Sequence, residues 1–172
     1  MIIRVGFGHD SHAFETSPSG RLLVLGGVSI PDGPPLRGNS DSDVILHAIG
    51  RALDSITGAR VMGPISDALC RQGITDSRVY VQKALEFLPS GARITHVAIA
   101  VEGRTPVLEP WIDAIRSSVA GLLGIAPQDV GITATSGDFL TAFGQGQGLQ
   151  AWALVTVVME SEDRVLREKP DS

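Results

Sequence analysis

Apolar and polar positions follow two rhythms along the chain, and the switches between them outline its elements. β-Branched and aromatic runs recur at Ile2 to Val5, Leu22 to Val28, Ile94 to Val101, Val130 to Ala134 and Leu149 to Met159. They predict strands, in which alternate side chains point to opposite faces. Apolar residues spaced three and four apart predict helices near 43–56, 77–88 and 108–123. In the last of these, Trp111, Ile112, Ile115, Val119, Leu122 and Leu123 form one stripe, closed by Gly124 and Pro127, which reads as core packing. Strands interleaved with helices place the chain in the α/β (α+β) class. The final strand, Leu149 to Met159, is apolar on both faces over much of its length, so it needs cover on two sides, from helices or from another subunit.

The first strand region and the first helical region carry the chemistry. The run Ile2 to Phe14 reads as one extended segment, so Asp10 and His12, two apart, project from the same face. Farther on, Asn39, Ser40, Asp41, Ser42 and Asp43 are helix N-cap residue types, followed by Val44, Ile45, Ala48, Ile49, Ala52 and Leu53 at helical spacing. His47 therefore falls in the second turn of a helix. Two imidazoles and a carboxylate form a donor set that suits zinc, and three protein ligands leave a fourth position for water or substrate. The same histidines also read as unrelated polar residues satisfied by backbone carbonyls. A second concentration lies near the end, where Ala134-Thr135-Ser136-Gly137-Asp138 leaves a strand and Gly144 to Gly148 follows. Hydroxyls, an acid and open backbone amides suit phosphate or a phosphate-bound metal, and the same composition also describes an ordinary glycine-rich surface loop.

Composition narrows the picture. A chain of 172 residues, 43% hydrophobic and 19% charged, is long enough for one domain with a proper core. No apolar stretch approaches the length that spans a bilayer, and Met1 to Gly6 lacks the basic and apolar parts of a leader, so the expectation is a cytoplasmic protein. A formal charge of −5 without a Lys/Arg cluster argues against nucleic acid. Cys70 is the single cysteine and reads as a small, partly buried residue. His9 should point away from Asp10 and His12, His96 reads as structural, and Trp111 and Trp152 read as packing residues, the latter two suited to a subunit contact. Residues 1–160 form the expected domain, and the charged stretch 161–172 reads as a flexible tail.

Three blocks, Arg4 to Phe14, Leu22 to Pro31 and Ser40 to Ile49, match in order and spacing those of the 2-C-methyl-D-erythritol 2,4-cyclodiphosphate synthase family, which the chain resembles over about residues 2–160. The resemblance implies a mixed β-sheet covered by helices on one side, assembling as a homotrimer with active sites at subunit interfaces. It implies an intramolecular phosphoryl transfer in non-mevalonate isoprenoid synthesis, on a diphosphocytidyl substrate, with release of CMP. By the family pattern Asp10, His12 and His47 hold zinc or another divalent transition metal, and Asp138 holds magnesium or manganese on the diphosphate. Asn39 and Ser136 occupy the family's catalytic positions, and Ser40, Gly63, Asp67, Pro106, Leu108, Ala134, Thr135 and Gln145 its substrate contacts.

Several positions depart from that pattern. Asn39 stands where the family usually has a histidine, Gln145 where it has an arginine, and Val107 where it has a lysine. Asp138 replaces a glutamate, shortening its reach by about 1.5 Å. The acidic loop of the family is here Arg60 to Leu69, with Val61 in it and Asp67 as the surviving acid. These departures leave open an alternative, a zinc-binding trimer that serves as a ligand-binding or regulatory relative.

Overall fold

A computed structural model describes residues 1–160; the charged tail expected at 161–172 lies outside them. The first strand signal extends to a twelve-residue strand, β1 (Ile2–Ala13). The next run is not the single strand expected over Leu22 to Val28. It is a hairpin of β2 (Leu23–Leu25) and β3 (Val28–Ile30), because Gly26 and Gly27, with φ of 59° and 78°, turn the chain back on itself.

The helix around His47 is α1 (Val44–Thr57), followed by an irregular turn at Val61–Ile65 and a short helix α2 (Ser66–Arg71). Then come α3 (Ser77–Leu85), β4 (Arg93–Glu102), α4 (Ile112–Leu123), β5 (Val130–Thr135) and β6 (Gly148–Met159). The helix expected at 108–123 begins as a tighter 3₁₀ turn over Glu109–Trp111, and the one expected to reach residue 88 ends at Leu85.

The main sheet runs in the order β1-β6-β4-β5, with β4 and β5 parallel and the other pairs antiparallel, so it is mixed. α1 packs across β1 and β6, α3 packs on α1, and α4 packs against α3 and β5. Val44, Ile45, Leu46, Ala48, Ile49, Ala52 and Leu53 of α1 are fully buried. Each large apolar side chain among them stabilises the fold by about 1.5–3 kcal/mol relative to exposure. The packing is unusually close because β1 offers glycine at its crossing: a Cβ on Gly6 or Gly8 would lie 2.0 Å from the carbonyl oxygen of Ala52 or Ala48. The helix backbone thus rests directly on the strand backbone, which brings His47 within reach of β1.

β6 buries its odd-numbered side chains against α1. The other face of the sheet is open in the single chain, where Val5 (61% exposed) and Phe7 (57%) of β1 and Leu154 (44%) of β6 form an apolar surface. His9 points to this face and stacks on Trp152 at 5.3 Å between ring centroids. Trp111 packs half-buried against the core. His96 is exposed beside the register shift in β4. No helix among the described residues is long and apolar enough to cross a membrane.

Candidate metal centre

The pleat of β1 sets Asp10 and His12 side by side, and α1 delivers His47 from above. The Asp10 Oδ2 oxygen lies 2.9 Å from His47 Nδ1 and 3.1 Å from His12 Nε2, and the two imidazole nitrogens are 3.4 Å apart. Among the described residues these three form a group able to hold a metal ion. Asp10 and His47 are buried and His12 is half-buried.

The hydrogen bonds around the triad show what it is prepared to hold. His12 Nδ1 lies 2.8 Å from the Arg37 carbonyl, which can only accept, so Nδ1 carries the proton and the lone pair of the neutral ring is on Nε2, facing Asp10. Burial by itself would raise the Asp10 carboxyl. Hydrogen bonds to His12 and His47, together with their charge, outweigh burial and hold it well below the ordinary value of 3.8. Reciprocally, the hydrogen bond with Asp10 raises His12 above 6.5 against the effect of burial. Once its proton is displaced, His12 Nε2 presents a lone pair to the same point as the Asp10 carboxylate, an arrangement suited to a cation between them. The nitrogen and oxygen donors fit zinc or a similar divalent metal.

A second ring of groups holds the first. His47 Nε2 is 2.8 Å from Ser77 Oγ at the start of α3, and Ser77 bonds Asp41. Arg51, one turn beyond His47 on α1, places Nη2 3.4 Å from the outer oxygen of Asp10. That guanidinium is half exposed, so its pairing with Asp10 contributes little stability. The loop before α1 is pinned by Arg21, which donates to the carbonyls of Gly38 (3.0 Å) and Ser40 and to Glu15 (2.9 Å). The irregular turn after α1 is pinned by Asp54, which accepts from Val61 N (2.8 Å) and Met62 N (2.7 Å).

The structure divides the sequence-predicted site residues into two groups. Asn39, Ser40, Gly63 and Asp67 line a cavity of about 200 Å³ together with Asp10, His12 and His47. Pro106, Leu108, Ala134, Thr135 and Ser136 line a second, of about 240 Å³, with Val107 also at its wall. Asp138 and Gln145 line neither; Asp138 is exposed with φ of 50°, and Gln145 is exposed and donates to the Phe139 carbonyl. Val61 is buried in the core. Sheet register relates the two cavities, since Asp10 pairs with Ala151, Ala151 with Val101, and Val101 with Ala134. They sit at the same level of the sheet, three strand spacings or roughly 14 Å apart.

Sequence reasoning missed Arg51, Met62, Tyr80 and Ser77. Arg51 was legible in principle, four residues after His47 on one helix face. The others are joined to the site only by tertiary packing. Cys70 is half-buried as expected, but it also lines the first cavity and its thiol donates to the Asn39 carbonyl at 3.2 Å.

Comparison with known proteins shows what the chain resembles. The model of the YgbB family matches residues 3–158. The 2-C-methyl-D-erythritol 2,4-cyclodiphosphate synthase of Chlamydia caviae is 43% identical over 157 residues, covering 91% of this chain and 89% of that protein. That of Chlamydia muridarum is 43% identical over 158 residues, with 91% and 89% covered. A solved 2C-methyl-D-erythritol-2,4-cyclodiphosphate synthase in its CDP-bound form superposes with a TM-score of 0.75 at 28% identity, over 90% of this chain and 100% of that one. The bifunctional IspDF of Campylobacter jejuni shares the fold, with a TM-score of 0.80 at 24% identity over 92% of this chain and 43% of that one.

Proposed function

The chain belongs to the YgbB family, and from that membership we propose that it is a metal-assisted 2-C-methyl-D-erythritol 2,4-cyclodiphosphate synthase, a phosphorus–oxygen lyase of the cytoplasm. On this reading the 2-phosphate of 4-diphosphocytidyl-2-C-methyl-D-erythritol 2-phosphate attacks the β-phosphorus of its own diphosphate. The bond from that phosphorus to the bridging oxygen breaks, and CMP leaves with the oxygen and its electron pair. The observation that carries the proposal is the convergence of Asp10, His12 and His47 within one cavity, in a chain 43% identical to a synthase of that name.

Ring closure of this kind asks a protein to hold nucleophile and phosphorus in line and to offset charge. A divalent cation held by the triad would polarise the diphosphate. Asn39 and Ser40, at the wall of the same cavity, would donate hydrogen bonds to phosphate oxygens, and Gly63 and Asp67 would border the erythritol. Thr135 and Ser136 would bind the diphosphate from the second cavity, whose Pro106, Leu108 and Ala134 would flank the base. Asp138, two residues beyond Ser136, would hold magnesium or manganese on the diphosphate, and Gln145 would add a neutral contact.

The reading includes a homotrimer with its sites between subunits. Two observations support it: the cavities lie roughly 14 Å apart within one chain by strand spacing, and the apolar outer face of the sheet at Val5, Phe7 and Leu154 is open. A neighbouring copy would cover that face and bring its own second cavity to this chain's triad. The test is CMP release from the diphosphocytidyl substrate with zinc and magnesium. Activity in the parent chain and none in His12→Ala is the expected result, and equal release from both would remove the proposal. Calorimetry with CDP separates the synthase from a relative that does not bind cytidine nucleotides.

A further inference from the structure

We propose that Ser77 and Asp41 are positioning residues that lock His47 in the one neutral tautomer able to present a lone pair to the centre, an inference that rests on the metal reading above. Counting protons along the chain of contacts fixes the tautomer. Asp41 accepts at both oxygens, from the Ser77 hydroxyl at Oδ1 and from the Ser77 backbone N–H at Oδ2 (2.9 Å). Its own N–H is tied to the Thr75 carbonyl at 2.9 Å, which fixes the carboxylate over the start of α3.

With its hydrogen committed to Asp41, the Ser77 oxygen can only accept from its other neighbour, His47 Nε2, 2.8 Å away. Nε2 therefore carries a proton, and Nδ1, 2.9 Å from Asp10, is the nitrogen whose lone pair is released to the centre when a metal displaces the proton it otherwise shares with that carboxylate. The Ser40 hydroxyl lies 3.4 Å from the same Nε2 and is the weaker of the two contacts. Ser77 is fully buried, so water does not replace its hydroxyl without a cavity opening. The chain from Asp41 through Ser77 to His47 is the outer support that metal-bound histidines require, built from residues 41 and 77 on separate elements.

Two variants test it. Ser77→Ala removes the acceptor but leaves the backbone N–H that bonds Asp41. Asp41→Asn keeps the Ser77 hydroxyl but offers it an amide N–H, which turns the hydroxyl proton toward His47 and moves the ring proton to Nδ1. The readouts are zinc affinity by chelator competition and the ¹⁵N shifts of the His47 ring in metal-free protein at pH 8, with circular dichroism and thermal melting confirming the fold. The expected result is a protonated Nε2 in the parent, loss of that preference in both variants, and zinc affinity about 10- to 100-fold lower in the variants. A parent ring with Nε2 unprotonated, or folded variants with the parent's Nε2 protonation and affinity, would overturn the proposal. A parent with the Nε2 proton that binds no zinc would instead remove the metal reading and leave the relay standing.

Discussion

Asp43 links the fold to the site, and its removal is a quantitative test of the structure. Its carboxylate caps α1 by accepting from Ile45 N (3.1 Å) and Leu46 N (3.0 Å), and it also accepts from Gly26 N (2.9 Å) and Gly27 N (2.7 Å) in the β2–β3 turn. Asp43→Ala loses an N-cap, about 1 kcal/mol, and leaves two turn N–H groups without an acceptor, about 1–3 kcal/mol each. Against this, complete burial and the nearby charge of Asp41 push Asp43 up to about 6 despite those N–H groups. Ionising it in the folded state at neutral pH then costs roughly 3 kcal/mol, a cost that alanine removes. The net loss at pH 7 should be about 0–4 kcal/mol. Because the folded pKa lies above the unfolded 3.8, the stabilising contribution of Asp43 is fully present below 3.8 and is lost as pH rises through 6. The difference between parent and Asp43→Ala, measured by urea unfolding, should therefore be about 2 kcal/mol larger at pH 4, where the unfolded carboxyl is already partly ionised, than at pH 7. A difference that stays constant over this range would refute the reasoning.

Three further outcomes follow from the same geometry. Gly8→Ala sets a methyl 2.0 Å from the Ala48 carbonyl, so α1 must lift from β1 at a cost of about 1–3 kcal/mol; zinc affinity should fall although no ligand changes, and an unaltered affinity would show that the close crossing does not set the triad. Zinc binding should weaken with falling pH from a point above 6.5, because Asp10 raises His12 and the proton on Nε2 competes with the metal; a chelator titration between pH 6 and 8 that shows no trend would contradict this. On the proposed trimer, Phe7→Lys places a charge on the open apolar face of the sheet and should lower the light-scattering mass toward that of a monomer, while an unchanged mass would contradict assembly through this face.

Much of the centre was legible because its parts are local. Asp10 and His12 share a face through the two-residue period of a strand, and the cap residues before Val44 announce the helix that holds His47. The hairpin was misread because Leu22 to Val28 looks like one apolar run, although Gly26-Gly27 is a turn signal. The turn at Val61–Ile65 gave no periodic signal, since Asp54, seven and eight residues earlier, fixes it through backbone N–H groups. Ser77 was invisible as a site residue. It reads as the start of a helix, and only packing of α3 on α1 brings its hydroxyl to His47. Asp138 and Gln145 were assigned by resemblance, and within one chain they border neither cavity.

The central claim is that Asp10, His12 and His47 bind one divalent cation together. Elemental analysis of protein loaded with zinc and dialysed against metal-free buffer tests it most directly, with Asp10→Ala and His47→Ala treated in parallel. The account requires about one zinc per chain in the parent and almost none in either folded variant. Equal zinc in all three proteins, or none in the parent, would contradict it.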